Sequence, residues 1–319
     1  MTVTPDQVKA RARELDFIAC GITDPSPTAH GAELDRWLAR GYAGTMRYLH
    51  RQARRRKDPR AIVAEARAVV VVLDNYYEEK GERDGQGVEG GRAQSGPKVA
   101  KYAQGDDYHA VTHGRLEKLA EFLRQNGATA ARTYADAGPV PERELAQRAG
   151  LGWIGKNTML VRPGVGSWFF IGSIFTDLAL ALDSPFESDR CGSCTRCLDA
   201  CPTGAFVEPR VLDATRCISY LTIEQKGPIA GELAGRMDGW VFGCDACNDV
   251  CPWNQRFAAP TAVEAFRPRG HLDGADPDFF ERMDDAEFER RFARTPLARP
   301  GLAGMRRNFR AAFSRRTDG

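Results

Sequence analysis

Residues 191–202 read CGSCTRCLDACP and residues 244–252 read CDACNDVCP, and Cys217 lies between the two runs. Together with Cys217, these runs hold eight of the nine cysteines of this 319-residue chain. The first run has the pattern C-x2-C-x2-C-x3-C-P, which is typical of a 4Fe–4S site whose fourth cysteine ligates a second cluster. Eight thiolates match the needs of two four-iron clusters. The segment therefore predicts a unit that binds two 4Fe–4S clusters.

The eight cysteines divide into two predicted ligand sets if the last cysteine of each run crosses over to the other cluster. One set is Cys191, Cys194, Cys197 and Cys251, and the other is Cys201, Cys217, Cys244 and Cys247. Paired C-x2-C sequences also occur at zinc sites, but the three-cysteine run followed by Cys-Pro favours iron and sulfur. Disulfides are disfavoured, because no signal peptide precedes the chain and the cysteines cluster at metal-binding spacings.

The composition narrows the class of protein. Hydrophobic residues make up 42% of the chain, enough for a substantial core, and the formal net charge of +2 does not indicate a general nucleic-acid binder. No apolar run approaches the length of a membrane span, and the first residues lack the twin arginines of a Tat leader. We therefore expect a soluble, cytoplasmic protein with no membrane partner.

Alternating strand and helix patterns precede the cysteine segment. Residues 68–73 read AVVVVL, which predicts a buried strand, and residues 108–126 have helical periodicity. No G-x-G-x-x-G sequence follows a strand, so a Rossmann nucleotide site is not supported. We expect an α+β chain in three parts, which are a mixed α/β domain at residues 1–180, a double-cluster domain at 181–258 and a helical, basic C-terminal segment at 259–319.

Two stretches are rich in basic residues. Residues 47–60 read RYLHRQARRRKDPR, and residues 304–316 read GMRRNFRAAFSRR. In an arbitrary protein, the first stretch would most often be a solvated helix face. It also suits a phosphate-binding patch, because lysine and arginine release counterions from a nucleic-acid backbone. The second stretch is either a tail packed against the body or a further nucleic-acid contact.

Asp136 begins the sequence DAGPVPER, directly after a predicted strand at residues 129–135. A carboxylate at a Gly-Pro turn is usually a turn former, so its position alone leaves structural and catalytic roles open. Residues 152–157, GWIGKN, form a turn that allows either close backbone approach to a flat ligand or simply a tight connection.

The order of these motifs resembles that of the epoxyqueuosine reductases. ADAGPVPER and GLGWIGKNT come first, and CGSCTRCLDACPTGA, RCISYLTIE and GWVFGCDACNDVCPWN follow. The resemblance covers roughly residues 1–310. It implies an oxidoreductase with cobalamin and two 4Fe–4S clusters that reduces the epoxide of epoxyqueuosine at the wobble position of tRNA, the last step of queuosine synthesis. It also implies a nitroreductase-like cobalamin domain, similar to that of reductive dehalogenases, before a bacterial ferredoxin-like domain.

The resemblance assigns roles to individual residues. Asp136 matches the proton donor of the D-x-G-P motif, and this fits the chemistry, because opening an epoxide leaves an alkoxide and burial would favour the protonated carboxyl. Cobalamin contacts are expected, by motif position, at Arg60, Asp136, Lys156, Asn157, Ser219, Asp245 and Ala246. Contacts to tRNA are expected at Arg54, Arg55, Arg56, Lys226, Arg306 and Arg307.

The remaining expectations concern partners and alternatives. We expect a monomer that receives electrons from a soluble donor such as ferredoxin or flavodoxin. Many family members continue with helical HEAT-type repeats that help to hold tRNA, whereas this chain ends at Gly319. One alternative is a ferredoxin-type electron-transfer module, which the large α/β domain disfavours. The other is a reductive dehalogenase-like enzyme acting on a small organohalide, which the basic patches and missing export signal disfavour.

Overall fold

The computed structural model describes residues 3–79 and 96–313. In these ranges the α-helices are α1 (Pro5–Glu14), α2 (Gly31–Ala39), α3 (Arg47–Lys57), α4 (Tyr108–Gln125), α5 (Glu142–Arg148), α6 (Arg196–Asp199), α7 (Ile218–Ile223), α8 (Gly231–Ala234), α9 (Ala246–Asp249), α10 (Pro252–Phe257), α11 (Asp285–Phe292) and α12 (Gly301–Phe313). The strands are β1 (Ala19–Thr23), β2 (Ala68–Asn75), β3 (Lys98–Val99), β4 (Ala131–Ala135), β5 (Trp153–Ile154), β6 (Leu160–Val161), β7 (Phe169–Thr176), β8 (Phe206–Glu208), β9 (Val211–Leu212) and β10 (Trp240–Phe242).

A four-stranded antiparallel sheet organises the N-terminal half, in the order β1-β2-β7-β4. Strand β2 is the predicted apolar run, and its side chains are buried on both faces. Val70 and Val72 pack on one side with Leu116 and other residues of α4 and α1. The alternate residues of β2 pack on the opposite side with α5. Because successive strand residues point to opposite faces, one β-branched run supplies both cores.

The cysteine segment joins this sheet domain through short elements. Helices α6 and α9 are single turns that carry Cys197 and Cys247 and lie against each other. Strand β10, just before Cys244, pairs in parallel with β3, whose residues precede α4 in the chain. The cluster segment is thereby fastened to the N-terminal half by main-chain hydrogen bonds.

The C-terminal segment forms a separate hydrophobic core, to which the two preceding parts of the chain also contribute residues. Phe280, Phe292 and Phe309 are fully buried there, together with Val241 and Phe242 of β10. The Asn308 side chain is completely buried and donates to the carbonyl oxygens of Thr222 and Val241, at 2.8 and 3.0 Å. Of the two readings left open for this stretch, the structure shows a helix packed against the body. No helix within residues 3–79 and 96–313 has the length and apolarity needed to cross a membrane.

Candidate active site and cluster-binding segment

Asp136 lies directly after β4, at the start of the loop that leads to α5. Its backbone has a left-handed conformation with φ of 51°, which is uncommon for a residue with a side chain. The Tyr108 hydroxyl donates a hydrogen bond to the Asp136 carboxylate, and His109 Nε2 lies 3.8 Å from the same oxygen. The side chain is 65% exposed, so the burial expected from the sequence is not supplied by the protein alone. The carboxylate faces open space with a phenol beside it.

Tyr108 is held by the start of α4. Asp107 caps the helix by accepting from the His109 backbone N–H at 3.0 Å, and the Tyr108 ring stacks on Phe170 of β7 at 4.2 Å between ring centres. Burial and the charge of Asp136 raise the pKa of Tyr108, so the phenol keeps its proton. It is therefore positioned as a fixed hydrogen-bond donor to the carboxylate.

A second carboxyl group supports the loop from behind. Glu142, at the first position of α5, accepts a hydrogen bond from the Asp136 backbone N–H at 2.7 Å. Burial, and then the negative charge of Asp136, raise the pKa of Glu142 to about 8. Glu142 belongs to the same DAGPVPER motif as Asp136, but nothing local in the sequence distinguishes it from an ordinary first-turn glutamate of a helix.

A row of packed aromatic rings, here called the aromatic wall, runs from Asp136 towards the cysteine segment and consists of Tyr108, Tyr102 and Tyr76. Tyr102 lies 5.8 Å from Tyr108 and 6.5 Å from Tyr76, between ring centres. Burial and then the charges of Asp136 and Asp245 raise the pKa of Tyr102, so these two aspartates lie near the same ring. Asp245 is itself buried and accepts from the Lys101 backbone N–H at 2.7 Å. Asp136 and Asp245, both expected at the cofactor, are thus brought to one region.

The structure brings the cysteines together in two groups. In the first group, burial and then the charges of three neighbouring cysteines raise the pKa of the Cys197 thiol. These neighbours are Cys191, Cys251 and Cys194. In the other group, burial and then charges from neighbours raise the pKa of Cys247 well above its usual range, and these neighbours include Cys217, Cys244 and Cys201. The groups have the membership of the two ligand sets expected from the sequence.

The surroundings of the sulfur atoms suit thiolate ligands of a cluster. Backbone and side-chain N–H groups point at them, as at Cys201, where the Ala205 N–H lies 3.2 Å away, and at Cys191, where Trp153 Nε1 lies 3.4 Å away. Within the described ranges, no three His, Cys, Asp or Glu side chains converge on a point that could hold a single metal ion. A four-iron cluster is ligated at four separate irons, so it does not require such convergence.

The other residues expected at cobalamin are distributed more widely. Lys156 Nζ donates to the Gly192 carbonyl at 2.7 Å, and the buried Asn157 amide donates to Asn248 Oδ1 at 3.1 Å. Both side chains therefore fasten the Gly152–Asn157 turn to the cysteine segment. Ser219 directs its backbone N–H and hydroxyl at Cys217. The Ser219 hydroxyl, expected at cobalamin, therefore contacts Cys217 in the structure.

Arg60 and Ala246 complete this set. Arg60 is exposed and pairs with Asp58, with 2.9 Å between Nε and Oδ1. Ala246 follows Asp245 and directs its backbone N–H at Cys244. Ala246 therefore lies beside Cys244, whereas the Arg60 side chain pairs with its own neighbour Asp58.

The basic residues expected at tRNA fall into two classes. Arg54 and Arg55 of α3 are exposed, as is Lys226 after α7. The guanidinium groups of the other three, which are half-buried, donate to carbonyl oxygens of the protein. Arg56 donates to Gly138, Arg306 to Phe280 and Met283, and Arg307 to Leu221, Gln225 and Gly227.

Two family models match the chain. The model described as "4Fe-4S double cluster binding domain" matches residues 190–254, and the model described as "Epoxyqueuosine reductase QueG, DUF1730" matches residues 56–137. The first match covers the eight clustered cysteines. The second ends one residue beyond Asp136.

Relatives of similar length cover nearly the whole chain. An epoxyqueuosine reductase of Cellulophaga algicola is 40% identical over 306 residues, which are 95% of this chain and 96% of the relative. An epoxyqueuosine reductase of Pseudomonas aeruginosa is 41% identical over 303 residues, covering 95% of this chain and 82% of the relative.

Solved structures share the fold. An epoxyqueuosine reductase crystallised with an epoxyqueuosine-modified tRNA-Tyr stem loop superimposes with a TM-score of 0.80 at 26% identity, covering 96% of this chain and 80% of that one. An epoxyqueuosine reductase of Bacillus subtilis, whose aspartate-bearing catalytic loop is swung out of its active site, superimposes with a TM-score of 0.81 at 27% identity over the same shares.

Proposed function

The chain belongs to the epoxyqueuosine reductase family, and we propose that it reduces the epoxide of epoxyqueuosine in tRNA to give queuosine. The observation that carries this proposal is the Asp136–Tyr108 pair, which opens to solvent at one end of an aromatic wall that reaches the cluster segment. An electron-transfer module with no substrate would not need this carboxylate and phenol. Because the chain belongs to this family, we favour epoxyqueuosine reduction over the two alternatives, a ferredoxin-type electron-transfer module and a reductive dehalogenase-like enzyme.

The reaction requires protons as well as electrons. Converting an epoxide to a carbon–carbon double bond consumes two electrons and two protons and releases the oxygen as water. We assign the first proton transfer to the Asp136 carboxyl, because it is the acid that faces the open space. Tyr108 orients the carboxyl through its hydroxyl, and Glu142 holds the Asp136 backbone.

The residues fit the cofactors of this family. The eight cysteines in two groups would hold two 4Fe–4S clusters, with N–H groups directed at the sulfurs. Cobalamin would lie by the aromatic wall between Asp136 and Asp245, which offers flat rings and polar groups at its ends. When bound, the clusters and cobalamin supply the two electrons of the reduction. Asp136, Asp245 and Ala246 are the contacts we retain for cobalamin.

The exposed basic residues offer a surface for the RNA. Arg54 and Arg55 form an exposed basic face on α3, and α3 lies beside the loop of Asp136 through Arg56. We propose phosphate contacts for Arg54, Arg55 and Lys226. A soluble donor such as ferredoxin or flavodoxin, a monomeric state and a cytoplasmic location complete the proposal, because tRNA and reduced clusters occur together in that compartment.

The test is anaerobic turnover of the holoprotein. Reconstituted protein, cobalamin, a strong reductant and an epoxyqueuosine-bearing anticodon stem loop are mixed, and the nucleoside is read by mass spectrometry. The wild type should remove one oxygen atom, and Asp136→Asn should slow the reaction at least a hundredfold, the low end of what a general acid contributes.

The matched control is Asp16→Asn. Asp16 is also an aspartate with a left-handed backbone, with φ of 59°, but it lies on the exposed turn after α1. This variant should react at the wild-type rate. Equal rates for Asp136→Asn and the wild type would remove the acid assignment, and no conversion by any protein with intact clusters and bound corrinoid would remove the proposed reaction.

A further inference from the structure

Arg56 differs from the other basic residues of α3. Its neighbours Arg54 and Arg55 are exposed, whereas Arg56 is half-buried and turns towards the Asp136 loop. One guanidinium nitrogen, Nη2, donates to the Gly138 carbonyl at 3.1 Å. Its Nε is buried, without a hydrogen-bond partner among the described residues. Burying a guanidinium costs free energy, so this inward position calls for an explanation other than solvation of a helix face.

The loop that Arg56 contacts has an unusual backbone. Asp136 has φ of 51° and Gly138 has φ of 124°, a conformation that side chains rarely adopt. A Cβ at Gly138 would lie 2.9 Å from the Tyr134 ring, so this position also requires the absence of a side chain. Conformations of this kind persist where the surroundings hold them in place.

Two side chains from different helices hold this loop. Glu142 of α5 accepts from the Asp136 backbone N–H at 2.7 Å, and Arg56 of α3 donates to the Gly138 carbonyl. Pro139 and Pro141 have no N–H to contribute, so the loop has few hydrogen bonds of its own. Its shape therefore depends on α3 and α5.

We propose that Arg56 is a positioning residue that couples α3, the basic helix, to the loop of Asp136, so that RNA bound on the outer face of α3 stabilises the reactive position of the carboxyl group. This inference rests on the proposed function. Adjacent residues of α3 have different roles in this proposal. Arg54 and Arg55 face solvent and would bind the RNA, while Arg56 holds the loop. An arginine suits this role, since it stays charged and offers several donors in a rigid group.

The first measurement follows the loop directly by hydrogen–deuterium exchange of the holoprotein. Amides at positions 136, 137, 138 and 140 report on the loop, and exchange is compared with and without the epoxyqueuosine stem loop. In the wild type, the stem loop should slow this exchange. In Arg56→Gln the loop should exchange faster, on the order of tenfold, and the stem loop should no longer slow it. Glu142→Ala should speed exchange at position 136 in particular.

The second measurement separates binding from reaction. Arg56→Gln should lower the single-turnover rate at saturating stem loop, on the order of tenfold, while the Kd for the stem loop changes less than twofold. Arg56→Lys, which keeps the charge and one donor, should recover part of the rate. Arg55→Gln should weaken binding and leave loop exchange at the wild-type rate. Arg36→Gln, an exposed arginine of α2, serves as the control for both readouts.

The outcomes distinguish this inference from the proposed function. A higher Kd for Arg56→Gln, with loop exchange and saturating rate unchanged, would make Arg56 an ordinary phosphate contact and overturn the inference. If Arg56→Gln fails to fold, Arg56→Lys decides by the same readouts. If no protein converts the stem loop, the proposed reaction fails, while the exchange of the loop with bound RNA still decides whether Arg56 couples the two.

Discussion

Trp153 occupies a single position that joins the sheet domain to the first cysteine group. It is almost fully buried, its ring contacts Phe186 and Trp253, and its indole N–H points at Cys191 Sγ from 3.4 Å. A hydrogen bond to a cluster ligand stabilises the reduced, more negative state.

Trp153→Phe should lower the reduction potential of the cluster bound by the Cys191 group. A hydrogen bond of about 1 kcal/mol corresponds to roughly 40 mV for one electron, and phenylalanine keeps most of the packing but removes the donor. Redox titration followed by electron paramagnetic resonance measures the change. Trp37→Phe, which removes an indole donor to the Leu212 carbonyl, is the control and should leave both potentials unchanged. An unchanged or higher potential in Trp153→Phe would exclude this role.

We expect the ionisation of Glu142 to make the stability of the protein depend on pH. Its folded pKa of about 8 lies above the unfolded value of about 4.3, so the folded state binds the proton more tightly. Stability from this group is therefore complete below pH 4.3 and declines as the pH rises to 8. The groups that set its charge environment are Asp136, Arg143 and Arg56.

Glu142→Gln should remove this decline, because glutamine keeps an acceptor for the Asp136 N–H and cannot ionise. Thermal unfolding of wild type and variant, measured anaerobically between pH 5 and 9, provides the comparison. The melting temperature of the variant relative to wild type should rise with pH over that window. A constant difference would show that Glu142 does not titrate in the folded protein. Glu65→Gln, at an exposed turn, is the matched control.

At the scale of elements, a buried ion pair fastens α4 to the sheet. Asp74 of β2 is completely buried and accepts from Arg115 Nη1 at 2.6 Å and from the Thr112 hydroxyl at 2.8 Å. Arg115 also donates to the Leu15 carbonyl at the end of α1. One charged side chain thus links a strand and two helices, and α4 begins with Tyr108 of the active site.

Arg115→Met should destabilise the protein by about 3–5 kcal/mol, because it leaves the Asp74 carboxylate buried without its partner. Urea unfolding measures the loss. The double variant Asp74→Leu, Arg115→Met should regain most of the stability, since no buried charge remains. Lys118→Met, on the exposed face of the same helix, should change stability by less than about 0.5 kcal/mol. A similarly small effect of Arg115→Met would contradict the assigned role.

At the scale of the whole molecule, Asn308 connects the C-terminal helix α12 to the region before the second cysteine group. Its amide satisfies the carbonyls of Thr222 and Val241, and β10 leads directly to Cys244. Asn308→Leu would leave two buried carbonyls without these donors, at about 1–3 kcal/mol each. We expect lower stability and a lower iron content per chain after anaerobic reconstitution, measured against eight irons for two filled clusters. Asn126→Leu, at the half-buried C-terminal end of α4, is the control. Normal iron content in Asn308→Leu would contradict this link.

Local patterns predicted part of this molecule and long-range contacts determined the rest. The apolar run at β2 and the cysteine spacings depend on neighbouring residues, so they could be read without a structure. Asp136 was identified through the resemblance, because its turn sequence alone has several meanings. The inward turn of Arg56 and the bridge from Lys156 to Gly192 join residues far apart in the chain. No periodicity in α3 distinguishes Arg56 from Arg55.

The parallel pairing of β3 with β10 sets an order for events during synthesis. The four strands of the main sheet are all outside the ribosome once Thr176 has emerged, and the clustered cysteines, which begin at Cys191, emerge later. Residues 98–99 must wait for residues 240–242, and a contact that spans so much chain forms slowly. We therefore expect iron delivery to act on a nascent protein whose sheet is already folded. Cells short of iron should accumulate incompletely folded protein, in which the main sheet is formed and the C-terminal core is not.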